Sequence, residues 1–263
     1  MTELAGAQKD MYEHFSDVAV LYNNLRVTDS EPVISIKNMI DGNYNIVAAD
    51  IGCGAGRYSL QFLQHLSLRH LACIDVNASM LEQTSSILRA AGLANFSTIE
   101  STAEKIPLVD NSIDYVFTFN AIHHFDFAAF IQEAARITRD GGSIIIYTRL
   151  RSQNAGNIWG VHFPFFLAKE NRLYEVGELE QIITTMPALN IQCVKRFRYL
   201  RTASLDQLVD LARSHHYSTF SLYGKGEFTS ALKGFQRNIT QHFSDPEHIK
   251  WFDEHTMLVV NRS

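Results

Sequence analysis

Two acidic side chains and three glycines carry the most legible chemistry in this chain. Asp50-Ile51-Gly52-Cys53-Gly54-Ala55-Gly56-Arg57 spaces its glycines as G-x-G-x-G. Glycine turns the chain sharply, and it lets a ligand approach backbone that a Cβ would hold away. The apolar run Ile46-Val47-Ala48-Ala49 in front predicts a buried strand, and Tyr58 to His65 behind predicts the first turns of a helix. Strand, glycine turn and helix start open a nucleotide-binding unit, because free N–H groups and the positive helix end face the crease. A second apolar strand, Leu71-Ala72-Cys73-Ile74, runs into Asp75. An acid at that point, about 20 residues past the glycines, is the expected partner of a ribose diol. Val76 beside it would cover one face of the attached base.

His123 and His124 are the candidates for a general base, since an unperturbed imidazole titrates near ~6.5. The alternative is that one of them caps backbone or shapes the pocket. Tyr147 is a second candidate. His215 and His216 are expected to be a solvated pair. No carboxylate or third histidine stands at ligand spacing from these residues, so no metal site is predicted.

The elements that must hold these groups follow from pattern. A helix over Glu31 to Ile40 has Pro32 in its first turn, where the missing N–H costs nothing. Further helices are predicted over Ser79 to Ala91, with Gly92 as stop signal, and over Ala128 to Thr138. Strands are predicted at Phe96–Glu100, Asp114–Phe119 and Ser143–Thr148. Beyond Arg149 the run Asn157 to Phe166 is densely aromatic. A helix (Gly177 to Thr185), a strand (Ile191 to Tyr199), two helices (Ser204 to Ser214, Glu227 to His242) and a last strand (Thr256 to Val260) complete the chain.

With 263 residues the chain has room for one substantial core, alone or with a small cap. Its 46% hydrophobic and 19% charged content is that of a soluble globular enzyme. A net charge of −5 argues against a general nucleic-acid surface. The short basic run Lys195, Arg196, Arg198 and Arg201 reads as a solvated strand face. Three scattered cysteines suggest neither disulfides nor zinc and fit a reducing cytoplasm. No signal pattern and no membrane-length apolar run is expected, hence no membrane partner.

Four motifs in this order resemble the class I S-adenosylmethionine (SAM) dependent methyltransferases. Asp50 to Arg57 resembles their motif I. Thr102-Ala103-Glu104-Lys105-Ile106-Pro107-Leu108 resembles the segment D-A-E-x-L-P-F, with Thr102 in place of Asp. Ser112-Ile113-Asp114-Tyr115-Val116, then His123-His124-Phe125, is similar to the fourth strand and its exit. Arg136 to Gly142 resembles R-x-L-x-P-G-G, with Asp140 in place of Pro. The match covers Tyr12 to Arg149 well and the remainder in layout only. Within that class it resembles the methyltransferase type 11 and ubiquinone-biosynthesis small-molecule enzymes.

The resemblance implies an α/β fold: a doubly wound, seven-stranded, mostly parallel Rossmann-like sheet with a helical lid inserted between strands six and seven. It implies an N-terminal helical cap over 1–45, a SAM-binding core over 46–150 and an aromatic substrate segment with helix and strand six over 151–200. The lid would span 201–253 and the last strand 254–263. Asp50, Gly52, Gly54 and Gly56 would hold the methionine part of SAM, with Arg26 pairing its carboxylate and Asn120 near its amino group. Asp75 would take the ribose, and Val76, Ala103 and Glu104 the adenine. Tyr147, Trp159, Phe163 and Tyr217 would meet the acceptor or form lid core, the former steadying the sulfonium by cation–π contact. The implied activity is methyl transfer to a small molecule, with no base strictly required. An NAD(P)-dependent reductase and a non-catalytic SAM-binding module remain the alternatives. The acceptor and the oligomeric state are not legible.

Overall fold

The computed structural model describes residues 27–40 and 45–263. Arg26 and most of the expected N-terminal cap lie outside them. The described elements are α1 (Glu31–Ile40), β1 (Ile46–Ile51), α2 (Arg57–His65), β2 (Leu68–Asp75), α3 (Ala78–Ala90), β3 (Phe96–Glu100) and β4 (Ile113–Phe119). A 3₁₀ turn (Ile122–His124), α4 (Phe127–Ile137) and β5 (Thr138–Thr148) follow. Then come α5 (Arg151–Gly156), α6 (Ile158–His162), α7 (Phe166–Lys169), α8 (Val176–Ile183) and β6 (Leu189–Ala203). The chain closes with α9 (Leu205–Arg213), a 3₁₀ turn (Ser218–Leu222), α10 (Lys225–His242) and β7 (Ile249–Arg262).

The seven strands form one sheet in the order β3-β2-β1-β4-β5-β7-β6. Pairing is parallel from β3 through β5, and β7 runs antiparallel to both of its neighbours. This is the doubly wound sheet expected from the motifs. Strand alternation feeds two cores: Ala49, Ile51 and Val116 face α4 and α8, whereas Ala48, Phe117 and Phe119 face α1 and α2. The strand order reverses between β1 and β4, so a crease opens at their carboxyl ends.

The last two strands are longer than their apolar centres suggest. Pairing of β5 with β7 stops at Thr148 and Thr256, but β6 and β7 stay paired as far as Ala203 and Ile249. The ribbon therefore projects beyond the carboxyl edge of the sheet. Its outer stretch, Ile249 to His255, mixes charge with aromatic rings, so no apolar run marks it.

A third core lies off the sheet. Trp159, Phe163 and Phe166 pack there with Leu208, Phe220, Phe235 and Ile239. Thus the aromatic segment and the insertion between β6 and β7 form one packed body. Trp159 stacks on Phe235 at 5.0 Å between ring centres, and Phe163 meets Phe220 edge-on at 5.0 Å. His216 is buried against Trp159 and donates through Nδ1 to the Leu211 carbonyl at 2.9 Å. That packing, and not solvation, is where this histidine ends up.

Candidate active site

The glycine turn is held from both sides. Gly52 and Cys53 donate their N–H groups to the Ile74 carbonyl at 2.8 and 3.0 Å, tying the turn to β2. The Thr84 hydroxyl on α3 donates to the Gly54 carbonyl at 2.7 Å. Gly52 is left-handed, and a Cβ there would meet the Ala121 Cβ at 2.6 Å. Gly54 is also left-handed (φ 54°), but a Cβ on it would meet nothing within 4 Å. The first glycine makes room for protein, and the second faces open space that a ligand can use. The first turn of α2 has no side-chain cap, so its N–H groups remain for an anion.

Asp75 ends β2 with its carboxylate across this turn. It accepts the Gly54 N–H at 2.8 Å on one oxygen and the Asn77 N–H at 2.9 Å on the other. An ionised carboxylate has about four lone-pair sites; with the Val76 N–H also bound to it, at least one site is left for a hydroxyl. Burial raises the Asp75 pKa, against the N–H groups that lower it. Val76 is 52% exposed, an apolar face held open beside the acid.

Asp50 is 1% exposed beneath the turn and accepts from the Ser59 hydroxyl at 2.6 Å. Burial pushes its pKa up to about 7; the Ser59 hydrogen bond opposes this and the Asp75 charge adds to it. A carboxyl poised there gains a proton or loses it according to what charge arrives nearby. A cationic ligand would favour its ionised form.

Opposite, Ala103 is buried while the Glu104 carboxylate accepts from the Asp126 N–H at 3.0 Å. Arg136 fixes this segment to α4. It donates to the carbonyls of Ile106 and Leu108 at 2.7 and 2.8 Å and pairs with Glu133 and Asp110. The motif arginine is thus a clamp on the loop that follows β3. Asn120, at the end of β4, is left-handed (φ 55°) and donates its N–H to the Tyr147 carbonyl at 2.7 Å. His123 and His124 follow on the 3₁₀ turn with rings 4.0 Å apart, His124 exposed.

The model of a family described as a methyltransferase domain matches residues 49–146. An uncharacterized methyltransferase of Mycobacterium tuberculosis, Rv3342, is 34% identical over 184 residues, which are 63% of this chain and 73% of that protein. This chain belongs to the methyltransferase family. The uncharacterized methyltransferase YcgJ of Bacillus subtilis is 34% identical over 100 residues, a stretch that spans 37% of this chain and 38% of YcgJ. The crystal structure of YcgJ superposes with a TM-score of 0.62 at 17% identity, covering 89% of this chain and all of that one (100%). Geranyl diphosphate C-methyltransferase from Streptomyces coelicolor, in complex with S-adenosyl-L-homocysteine among other ligands, superposes with a TM-score of 0.55 at 10% identity, over 89% of this chain and 79% of that one. Among the described residues no helix is long and apolar enough to cross a membrane.

Beside the crease, the carboxyl edge of β5 and the ribbon gather side chains that the sequence scatters. Tyr147 is buried at the end of β5, stacked on His255 at 5.0 Å and 12°, and near Phe119 at 4.9 Å. Tyr58 joins Phe119 at 4.6 Å, and Arg57 lies over the Tyr58 ring at 4.8 Å. Tyr217 accepts from Arg149 at 2.9 Å. Arg149 also pairs with Asp253, both buried, and Asn157 donates to the same Asp253 oxygen at 2.8 Å. Trp159 and Phe163 sit in the third core, off the sheet, each 2% exposed.

The run from Lys195 to Arg201 is not one solvated face. Period-2 alternation turns Lys195 inward to donate to the Ser35 hydroxyl at 2.9 Å, and Arg201 inward to a bidentate pair with Asp29 at 2.6 and 2.8 Å. Arg196 and Arg198 are the solvated members. Counting alternate residues along β6 would have separated the two sets, and it would have flagged Tyr199 beside Arg201. Thr84, Asp253 and His255 carry no motif signal; they enter through contacts between distant elements.

Proposed function

We propose that this methyltransferase binds S-adenosyl-L-methionine in the crease after β1 and methylates a small molecule. The observation that carries the reading is the Gly54–Asp75 pair: a left-handed glycine facing open space, its N–H held by an acid that retains a lone-pair site for a ribose. The residues fit the cofactor on each side of that pair. Asp50, Gly52, Gly54 and Gly56 take the methionine part, with Asn120 near its amino group; Arg26, outside the described residues, is the partner expected for its carboxylate. Asp75 takes the ribose, and Val76, Ala103 and Glu104 enclose the adenine. Glu104 reaches it only through the oxygen that does not accept from Asp126.

SAM supplies an electrophilic methyl on a positively charged sulfur. The chain's own task is to hold an acceptor in line with that methyl, exclude water and remove a proton where the acceptor has one. Positioning alone can lower such a barrier by about 7–11 kcal/mol in favourable cases. Tyr147 stands at the acceptor side, and Tyr217 closes over it from the lid. Trp159 and Phe163 anchor the lid that carries Tyr217, through Trp159–His216 and His216–Tyr217 contacts at 5.1 and 4.1 Å. His123 and His124, on the turn after Asn120, are the groups placed to take a proton. The three thiols, Cys53, Cys73 and Cys193, are free, which supports a reducing, cytoplasmic setting.

The test is transfer of radiolabelled methyl from SAM to the components of a cell extract. Label in the small-molecule fraction supports the reading. Label confined to protein or nucleic acid, or none at all, would overturn it.

A further inference from the structure

The third core shares no buried residue with the two cores that flank the sheet. No continuous apolar interior fuses that body to the sheet, and charged side chains help to fix its place. They form a chain. Asp253 on the ribbon accepts through Oδ1 from Arg149 and from Asn157, while its Oδ2 stands 3.7 Å from the Arg201 guanidinium. Arg149 donates to the Tyr217 hydroxyl, in the insertion between β6 and β7, at 2.9 Å. Arg201 reaches the other way, to both oxygens of Asp29 at 2.6 and 2.8 Å.

Asp29 belongs to a short strap, residues 27–30, that precedes α1 and is neither helix nor strand. The strap is tied to the start of α2. Arg57 donates to the Val27 carbonyl, and the Asp29 backbone hydrogen-bonds the Tyr58 hydroxyl. Arg57 and Tyr58 follow Gly56 directly. Both ties therefore fall at the helix end that borders the glycine turn.

Arg201 is the junction between strap and insertion. The side chains of Arg149, Arg201, Asp29 and Asp253 are between 9% and 18% exposed, so water and salt screen their charges little. Moving one of them alone strands a charge in a shielded place, which is costly. The four groups therefore favour being in place together, and a contiguous network of this kind can carry coupling between distant sites.

We propose that Arg201 is a positioning residue that couples the two sides of the crease. A ligand that fixes the first turn of α2 fixes the strap, and through Arg201 and Asp253 it fixes the insertion that carries Tyr217. This rests on the reading of the crease as the cofactor site, and it adds a route by which the cofactor prepares the acceptor side. The coupling is reciprocal: whatever fixes the insertion tightens the cofactor by the same factor.

The experiment is amide hydrogen exchange, read by mass spectrometry on the full chain, with and without saturating S-adenosylhomocysteine. In the wild-type protein this ligand should slow exchange in residues 50–60 and, at least threefold, in residues 214–223 of the insertion. Asp29→Asn keeps the shape of the side chain and removes its charge. It should keep the effect in 50–60 and lose the effect in 214–223, a split that a purely structural role would not produce. The double variant Asp29→Asn, Arg201→Gln removes one charge of each sign and leaves Arg149 paired with Asp253, which protects the fold. It should lose the distant effect as well. Exchange in 214–223 that ignores the ligand in the wild type, or a distant response that survives in either variant, overturns the proposal. Failure of the cofactor reading shows separately, as no slowing in 50–60 of the wild type, and it takes the coupling with it.

Discussion

The two sides of the crease are made in different ways. On the side proposed for the cofactor, the surfaces are mainly backbone: a left-handed glycine, an uncapped helix start, and an acid that braces the turn. These three features lie within one β-α-β unit, between Asp50 and Asn77. The side proposed for the acceptor is made of side chains brought from far apart. Arg149 and Asp253 are 104 positions apart, and Arg201 and Asp29 are 172 apart. A ligand common to a whole family can be met by backbone, which few substitutions disturb. A ligand that differs among members has to be met by side chains, which substitutions change freely. The second side also carries the higher structural risk, since its buried charges depend on each other.

That difference sets the size of what substitutions should do. The largest effect is expected from Asp253→Ala. It strands Arg149, buried, and removes the acceptor for Asn157. Breaking one partner of a buried ion pair costs about 3–5 kcal/mol, so urea denaturation should show a loss of that order. A loss under about 1 kcal/mol would mean that Arg149 finds another partner or water.

Asp50 should make stability depend on pH by a few kcal/mol at most. Its folded pKa, about 7, lies above the unfolded value of 3.8. The folded state therefore holds the proton more tightly between those values. Its contribution is full below pH 4 and is lost as pH rises toward 7. His255, neutral and depressed to about 3, works in the opposite sense, so the comparison must be with Asp50→Asn. Relative to that variant, the wild-type protein without cofactor should lose stability from pH 4 to 7. A constant difference across the range would contradict the buried environment assigned to Asp50, which holds a hydroxyl but no cation.

On the cofactor side the effects are smaller and fall on binding. Asp75→Ala should weaken S-adenosylhomocysteine by about 1–3 kcal/mol, the range for lost hydrogen bonds to a charged group. Gly54→Ala should destabilise the fold by only about 1–2 kcal/mol, the cost of a left-handed alanine, because its Cβ meets no protein atom. Its affinity for the cofactor should fall further than its stability. Equal affinity in Gly54→Ala and wild type would show that the open space at this glycine is not the ligand's.

The same contrast explains what sequence could disclose. The strand–turn–helix around Gly54, and Asp75 at the end of β2, follow from local rules: apolar runs, glycine at positive φ, an acid at fixed spacing. Helices such as α1 and α4 were legible for the same reason, since their apolar faces repeat at helical spacing. The extent of the β6–β7 ribbon was not, because residues 249–255 mix charge with aromatic rings and only their pairing with β6 makes them strand. Trp159 and Phe163 fit core and pocket alike as sequence; the choice depends on Phe220 and Phe235, which arrive from the far side of the insertion. Arg201 was hidden by its basic neighbours until alternation along the strand separated inward from outward side chains.

The central claim is that the crease after β1 takes an amino-acid-bearing sulfonium nucleoside. Calorimetric titration of the protein with S-adenosylhomocysteine and, separately, with NADH addresses it most directly. The expected result is saturable binding of S-adenosylhomocysteine at a single site and no binding of NADH. Saturable binding of NADH with none of S-adenosylhomocysteine would contradict it.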